Sequence, residues 1–292
     1  MELANKLPVC PTALTAAQLE QYHRDGYLAF TDVLTAAEVE QARDGLTNLI
    51  RNAQHSPDYV LQERGSFRKL SSPKTNFYLQ IESTATATNL RALPDNDFEL
   101  TVRKLTGFCD IDPIFHGLAH TQPCVRGVLE SLIGANPIRF GEMALIKPPF
   151  IGTEKPWHQD NAYFSYKPLD AVATAWIALD DATIKNGCMH VLVGEHKLGP
   201  RRHHHTFDCE IVPERRDPSR AVPVEIPAGG AMFFSGMLPH QTPPNQSADR
   251  RRALQFQYRS ATSEVVSREE YNRIFAEADG TPATCVAGGS PW

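Results

Sequence analysis

Arg139-Phe-Gly-Glu-Met-Ala-Leu-Ile-Lys147 opens a half of the chain built from short β-rich runs. Ala171–Leu179, Met189–Val193, Val222–Ile226, Ala231–Phe234 and Ala253–Tyr258 follow it, separated by Pro, Gly and Asn clusters. Short runs of this kind, each bounded by turn residues, predict a sandwich or barrel, and the jelly roll is the common closed form. Working back toward the amino terminus, the pattern becomes helical. Thr15-Ala-Ala-Gln18 and Thr35-Ala-Ala-Glu38 both match the capping box, in which hydroxyl and amide or carboxylate satisfy orphan backbone donors reciprocally. After the second, Val39, Ala42, Leu46, Leu49 and Ile50 recur at helical spacing and give one apolar face. Gly26-Tyr-Leu-Ala-Phe30 between them reads as a short strand, residues 98–134 read as helical, and the polar, irregular residues 51–95 carry no clear element pattern and could form a lid or substrate loop. The fold class expected is α+β with a mainly β core: a cupin-like jelly roll whose N-terminal and flanking helices pack on one outer face.

The 292 residues, 41% hydrophobic and 22% charged, are ordinary globular composition. No stretch reads as a linker, so one domain over residues 1–292 is expected. A net charge of −5 argues against a nucleic-acid binder, which needs a basic face to offset phosphate, and favours a small-molecule substrate. No run of apolar residues is long enough for a membrane span. The amino terminus lacks the basic patch and apolar run of a signal peptide. The six cysteines are scattered without a C-x-x-C pair, which predicts reduced thiols in a cytoplasmic protein rather than a zinc ribbon or disulfide framework. Composition carries no sign of the oligomeric state.

The chemistry sits in Pro156-Trp-His-Gln-Asp160. In extended chain, side chains two apart share a face, so His158 and Asp160 can converge on one metal ion. His240, in Met237-Leu-Pro-His240 just after the Ala231–Phe234 strand, is the natural third ligand. Either motif alone is common as surface or core polarity; together, two histidines and one carboxylate make the facial triad of non-haem iron(II) oxygenases, with positions left for a bidentate co-substrate and oxygen. Asp249-Arg-Arg-Arg252 leads into the last strand. A 2-oxoglutarate co-substrate has a far carboxylate that a planar guanidinium grips well, but spacing does not choose among Arg250, Arg251 and Arg252. Tyr163, Phe164 and Tyr166 could line a pocket or simply pack. His203-His-His205 reads as a polar loop, with adventitious metal binding at most. His190 and His196 lack the further ligands of a zinc site, although His190 could point inward from its strand.

These segments resemble the phytanoyl-CoA dioxygenase family, in its branch of phytanoyl-CoA dioxygenase domain-containing proteins. That family carries H-x-D, a distal histidine and an arginine eleven residues beyond it; here the residue eleven after His240 is Arg251. Trp176-Ile-Ala-Leu-Asp-Asp-Ala-Thr-Ile-Lys-Asn-Gly-Cys188 is similar to the family's W-x-A-x-x-D-A-T-x-x-N-G-C, and Gly194-Glu-His196 departs from its usual G-S-H. Gly26-Tyr27, Asp112-Pro-Ile-Phe115 and Lys147-Pro-Pro149 fit as well. The resemblance implies a double-stranded β-helix, iron(II) on His158, Asp160 and His240, and 2-oxoglutarate and O2 as co-substrates. It also implies Arg251 on the far carboxylate, with Lys104, Met143 and Trp176 around the same molecule. The implied reaction oxidises a C–H bond of a small molecule and releases succinate and CO2. Asp160 favours hydroxylation, because related halogenases lack that carboxylate. The alternatives are a metal-dependent cupin-type dioxygenase without 2-oxoglutarate, a non-catalytic binding protein on the same fold, and a zinc hydrolase.

Overall fold

The structure is a computed structural model that describes residues 7–64, 67–205 and 208–285. Six α-helices are described: α1 (Ala16–Asp25), α2 (Ala36–His55), α3 (Asp95–Glu99), α4 (Pro113–His120), α5 (Pro123–Ile133) and α6 (Arg268–Ile274). Both expected capping boxes form, Thr15 with Gln18 and Thr35 with Glu38, and they start α1 and α2. Gly26 ends α1 at φ 88°, a left-handed conformation that glycine adopts without a Cβ clash.

The first strands are β1 (Tyr27–Phe30), β2 (Val60–Arg64), β3 (Phe67–Ser71), β4 (Tyr78–Ile81), β5 (Val102–Thr106) and β6 (Ile138–Lys147). They continue as β7 (Lys155–His158), β8 (Tyr166–Lys167), β9 (Val172–Ala178), β10 (Met189–Val191), β11 (His203–His205) and β12 (Cys209–Ile211). The last are β13 (Val222–Val224), β14 (Ala231–Ser235), β15 (His240–Thr242), β16 (Arg251–Arg259) and β17 (Glu264–Val265). Among the described residues, nine strands form one sheet in the order β1-β14-β9-β16-β6-β5-β4-β3-β2, and four form a second in the order β13-β10-β15-β7. All their pairings are antiparallel. This is the expected jelly roll.

Alternation along the strands divides the large sheet into two faces, since successive side chains point to opposite sides. Ala173, Ala175 and Ile177 of β9, Phe233 of β14 and Leu254 and Phe256 of β16 pack with Ala42, Leu46 and Ile50 of α2 and Val125, Val128 and Leu129 of α5. Helices therefore cover this outer face, as the sequence predicts. The intervening residues look toward the second sheet: Trp176, Ala178, Met232, Phe234 and Ala253 join Met189, Val191 and Val224 in a separate cluster. Helix α6 departs from the expected arrangement. Its Tyr271 packs with Ala162, Cys209 and Met237, away from the helix-covered face.

Three expectations need correcting. Residues 51–95 are not a loop: α2 runs on to His55, and β2, β3 and β4 extend the large sheet. The helical reading of 98–134 hides β5, whose Val102 and Leu105 are buried on the helix side while Lys104 faces inward. The cysteines are not all reduced: Cys209 and Cys285 form a disulfide, with Cys10, Cys109, Cys124 and Cys188 free. The sequence Cys285–Trp292 reads as a mobile tail, and its residues 286–292 lie outside the described residues.

The division of faces has a direct consequence at neighbouring positions of β16. Leu254→Ala empties part of the helix-packed core and costs about 2–5 kcal/mol of unfolding free energy, read from urea denaturation. Gln255→Met, one residue on and inward-facing, leaves the helix-packed core filled and instead removes one donor to buried Asp160, at a cost of about 0.5–1.5 kcal/mol.

Candidate active site

β7 and β15 pair so that His158 stands opposite His240. Their rings lie 4.1 Å apart between centroids. β7 ends at His158, and a short 3-10 turn beginning at Asp160 swings the carboxylate back beside the imidazoles. His158 Nε2 lies 3.5 Å and His240 Nε2 3.8 Å from Asp160 Oδ1. All three residues are buried, and their potential ligand atoms lie within 4.8 Å of one another.

The backbone sets the tautomer of both histidines. His158 Nδ1 donates to the Pro156 carbonyl at 2.8 Å, and His240 Nδ1 donates to the Leu238 carbonyl at 2.9 Å. Each Nε2 is thereby left as a lone-pair donor facing Asp160, the arrangement that fixes metal-binding imidazoles. Burial, with His158 beside it, pushes the His240 imidazole down to about 3, so it stays neutral. Burial works to raise the Asp160 carboxyl. Its polar surroundings, His158 and His240 on one side and the Thr174 hydroxyl on the other, outweigh it and hold the group below the usual carboxylate range. The large sheet supplies that last support: Thr174 Oγ1 donates to Asp160 Oδ2 at 3.0 Å, and Gln255 and Gln257 Nε2 reach the same oxygen at 3.5 Å. Two imidazoles presenting Nε2 and one anchored carboxylate, with lone pairs converging, fit a divalent first-row metal such as iron(II).

The same cavity, of about 300 Å³, is lined by Arg251, Trp176, Met143 and Lys104. The three consecutive arginines go to different places. Arg250 pairs with Glu99, and Arg252 grips Asp180 bidentately at 2.9 and 2.8 Å. Arg251 turns inward, 1% exposed, with its guanidinium carbon 5.3 Å from the Trp176 ring centre. Its Nε and Nη1, and the Trp176 Nε1, find no hydrogen-bond partner among the described residues. Burial lowers the Arg251 guanidinium to about 10, which leaves it charged at neutral pH. A buried cation with unused donors is costly unless something pairs with it. Lys147, its cross-strand neighbour, is buried too and donates to the Thr153 and Thr242 carbonyls. Burial, then the Arg251 charge, depresses its ammonium strongly.

Thus all seven residues singled out from the sequence meet in one cavity. Tyr163 and Phe164 also reach it, whereas Tyr166 packs on Phe140 at 4.6 Å and its cation neighbour Arg259. His190 does not line it, its Nδ1 being held at 3.2 Å from the Cys188 carbonyl. Sequence reading missed Thr174, Gln255 and Gln257. The alternation of Ala253-Leu-Gln-Phe-Gln-Tyr258 was the available signal: polar residues at every second position of a strand predicted to be buried. It also missed a polar rim, where Lys155 Nζ meets Tyr163 Oη at 2.7 Å and pairs with Asp208, which lies 3.5 Å from Arg103.

The fold and this donor set define a class, the non-haem oxygenases on a jelly-roll scaffold. The profile of the phytanoyl-CoA dioxygenase (PhyH) family matches residues 22–253, and the chain belongs to that family. It is 25% identical over 286 residues to phytanoyl-CoA dioxygenase domain-containing protein 1 of Bos taurus, covering 88% of this chain and 94% of that protein. With the phytanoyl-CoA dioxygenase of Arabidopsis thaliana the identity is 26% over 259 residues, covering 82% and 87%. Among solved structures, a non-heme alpha-ketoglutarate-dependent carbocyclase of nogalamycin biosynthesis, SnoK, superposes with a TM-score of 0.59 at 20% identity, covering 88% of this chain and 89% of that one. EvdO2 of Micromonospora carbonacea var. aurantiaca, solved in complex with 2-oxoglutarate, gives 0.54 at 21%, covering 89% and 96%.

The buried neutral histidines make the metal-free protein acid-sensitive. An unfolded imidazole takes up a proton near pH ~6.5, but His240 and His203 in the fold do so only at about 3. Over that interval the unfolded state binds more protons, so stability falls as pH is lowered. Depressed Asp160 adds to the fall at the acid end. Urea midpoints measured from about pH 7 down to about pH 4 decrease throughout; a flat profile would contradict the neutral-histidine assignment.

Proposed function

We propose that the chain is an iron(II)- and 2-oxoglutarate-dependent oxygenase that hydroxylates a C–H bond of a small molecule, releasing succinate and CO2. Residues 1–292 then form one catalytic domain, with His158, Asp160 and His240 as the metal ligands. Arg251 holds the far carboxylate of 2-oxoglutarate, and Lys104, Trp176 and Met143 complete its pocket. The observation that carries the reading is Arg251: a buried guanidinium with two nitrogens lacking partners among the described residues, in the same cavity as the three donors.

Iron(II), when bound, supplies the oxidising chemistry with O2; the residues supply geometry and exclusion of water. His158 and His240 present Nε2 because the Pro156 and Leu238 carbonyls hold their Nδ1 protons. Asp160 keeps its orientation because Thr174, Gln255 and Gln257 engage Oδ2 and leave Oδ1 toward the imidazoles. The Arg251 fork binds a carboxylate bidentately, and the Trp176 indole N–H adds a further donor beside it. Buried Trp176 and the apolar side chains of Met143 and Leu145 form the drier wall of the cavity. The Lys155–Tyr163–Asp208 rim is where the substrate meets polar groups. Burial raises the Tyr163 phenol to about 12, so it remains a hydroxyl that can donate.

No helix among the described residues is long and apolar enough to cross a membrane. We keep the cytoplasm as the proposed compartment. There the Cys209–Cys285 bridge would face a reducing thiol pool, and thiol alkylation of protein drawn directly from cells tests the placement.

Succinate release from 2-oxoglutarate, dependent on iron(II), tests the function. Arg251→Ala loses charge-assisted hydrogen bonds and raises the KM for 2-oxoglutarate about 10- to 100-fold, with Arg251→Lys intermediate. Unchanged KM in Arg251→Ala would contradict the role given to Arg251, whereas iron(II)-dependent turnover that needs no 2-oxoglutarate would favour a dioxygenase that works without the co-substrate.

A further inference from the structure

His203-His-His205, which reads as a polar loop in the sequence, contains one residue of a different kind. His205 is exposed and His204 pairs with Glu210 at 3.0 Å. His203 is 6% exposed and lies behind the metal-donor segment. Its Nδ1 faces two carbonyls, Arg201 at 2.6 Å and Ala283 at 2.9 Å. Two acceptors at Nδ1 require the proton there, so Nε2 carries a lone pair. That lone pair accepts the backbone N–H of Gln159 at 3.0 Å.

Gln159 is the residue between His158 and Asp160, and it is fully buried. Its side chain is already committed: Nε2 donates to the Met237 carbonyl at 2.8 Å and the Gly199 carbonyl at 3.1 Å, and Oε1 accepts the Arg201 N–H at 2.9 Å. The peptide N–H of Gln159 falls where β7 has ended and the 3-10 turn has not begun. Its acceptor is the imidazole of His203. A buried N–H without an acceptor is destabilising, and the residue that carries it stands between the two metal donors. The carbonyl that holds the far side of His203 is also fixed. Ala283 stands two residues before Cys285, whose N–H donates to the Ala162 carbonyl at 2.9 Å and whose sulfur is bonded to Cys209.

We propose that His203 is a positioning residue of the metal centre: by accepting the Gln159 N–H, it sets the His158–Gln159 peptide and thereby the angle at which the His158 and Asp160 side chains meet. The proposal rests on the metal-site reading above. It differs from a merely structural role because it acts on the metal. Supports of this kind around metal ligands are worth about 10- to 100-fold in metal affinity.

The test uses the full chain without 2-oxoglutarate, titrated anaerobically with Co(II) as a spectroscopic stand-in for iron(II). Three variants are compared: His203→Leu keeps bulk and loses the acceptor, His203→Gln places an oxygen near the position of Nε2, and His203→Asn keeps polarity near Nδ1 only. Wild type and His203→Gln are expected to bind one Co(II) with matching ligand-field bands. His203→Leu and His203→Asn, folded by circular dichroism, are expected to bind about 10- to 100-fold more weakly with altered bands. If His203→Leu does not fold, the Gln and Asn pair decides. Equal affinity and identical bands in the acceptor-less variants would overturn the proposal while leaving the metal site intact. A wild-type chain that binds no Co(II) would overturn the metal-site reading and this proposal with it.

Discussion

The carboxylate of Asp160 is the point where the two sheets are joined chemically as well as by packing. One oxygen faces the imidazoles of His158 and His240, both on the smaller sheet; the other takes hydrogen bonds from Thr174, Gln255 and Gln257, all on the larger. A carboxylate 2% exposed is stable only when its oxygens are engaged. Both sheets must therefore be in register for the site to exist. The pairings deliver that register: His240 opposite His158, Trp176 opposite Gln255, Thr174 opposite Gln257. A slip of one residue on β16 would replace Gln255 and Gln257 by Leu or Phe and expose the helix-facing core.

Charge organises the rest of the cavity. Arg251 and Lys147 are cross-strand neighbours, both cationic in kind and both buried, and their proximity is unfavourable to each in isolation. At the rim the cations are instead balanced, Lys155 by Asp208 and Arg103 by Glu82 and Asp208. The inner end is thus built for an anion and the outer end for a mixed polar surface. That division suits a small dicarboxylate deep in the cavity and a larger substrate above it.

Much of this was legible in the residues. Capping boxes name the start of a helix because the hydroxyl and the residue three on act locally, and both boxes here are formed as read. The strands of the second half announce themselves because they are nearly all apolar between turn residues: the seven residues of β9 are all buried. H-x-D spacing works because it needs only extended chain. What stayed hidden was set by distant partners. β2 is largely exposed and its sequence, Val-Leu-Gln-Glu-Arg64, carries no clear alternation; it is a strand because β3 pairs with it. Cys209 and Cys285 are 76 residues apart, and no local pattern links them. His203 looked like part of a polar tract because two of its neighbours belong to one. Its burial depends on Gln159 and Ala283, far away in the chain.

The central claim is that His158, Asp160, His240 and Arg251 together build one iron and 2-oxoglutarate site. Anaerobic addition of iron(II) and then 2-oxoglutarate, followed in the visible spectrum, tests it most directly. The account predicts a weak metal-to-ligand charge-transfer band that is lost in both His158→Ala and Arg251→Ala. Folded wild-type protein that holds iron(II) yet shows no band on adding 2-oxoglutarate would contradict it.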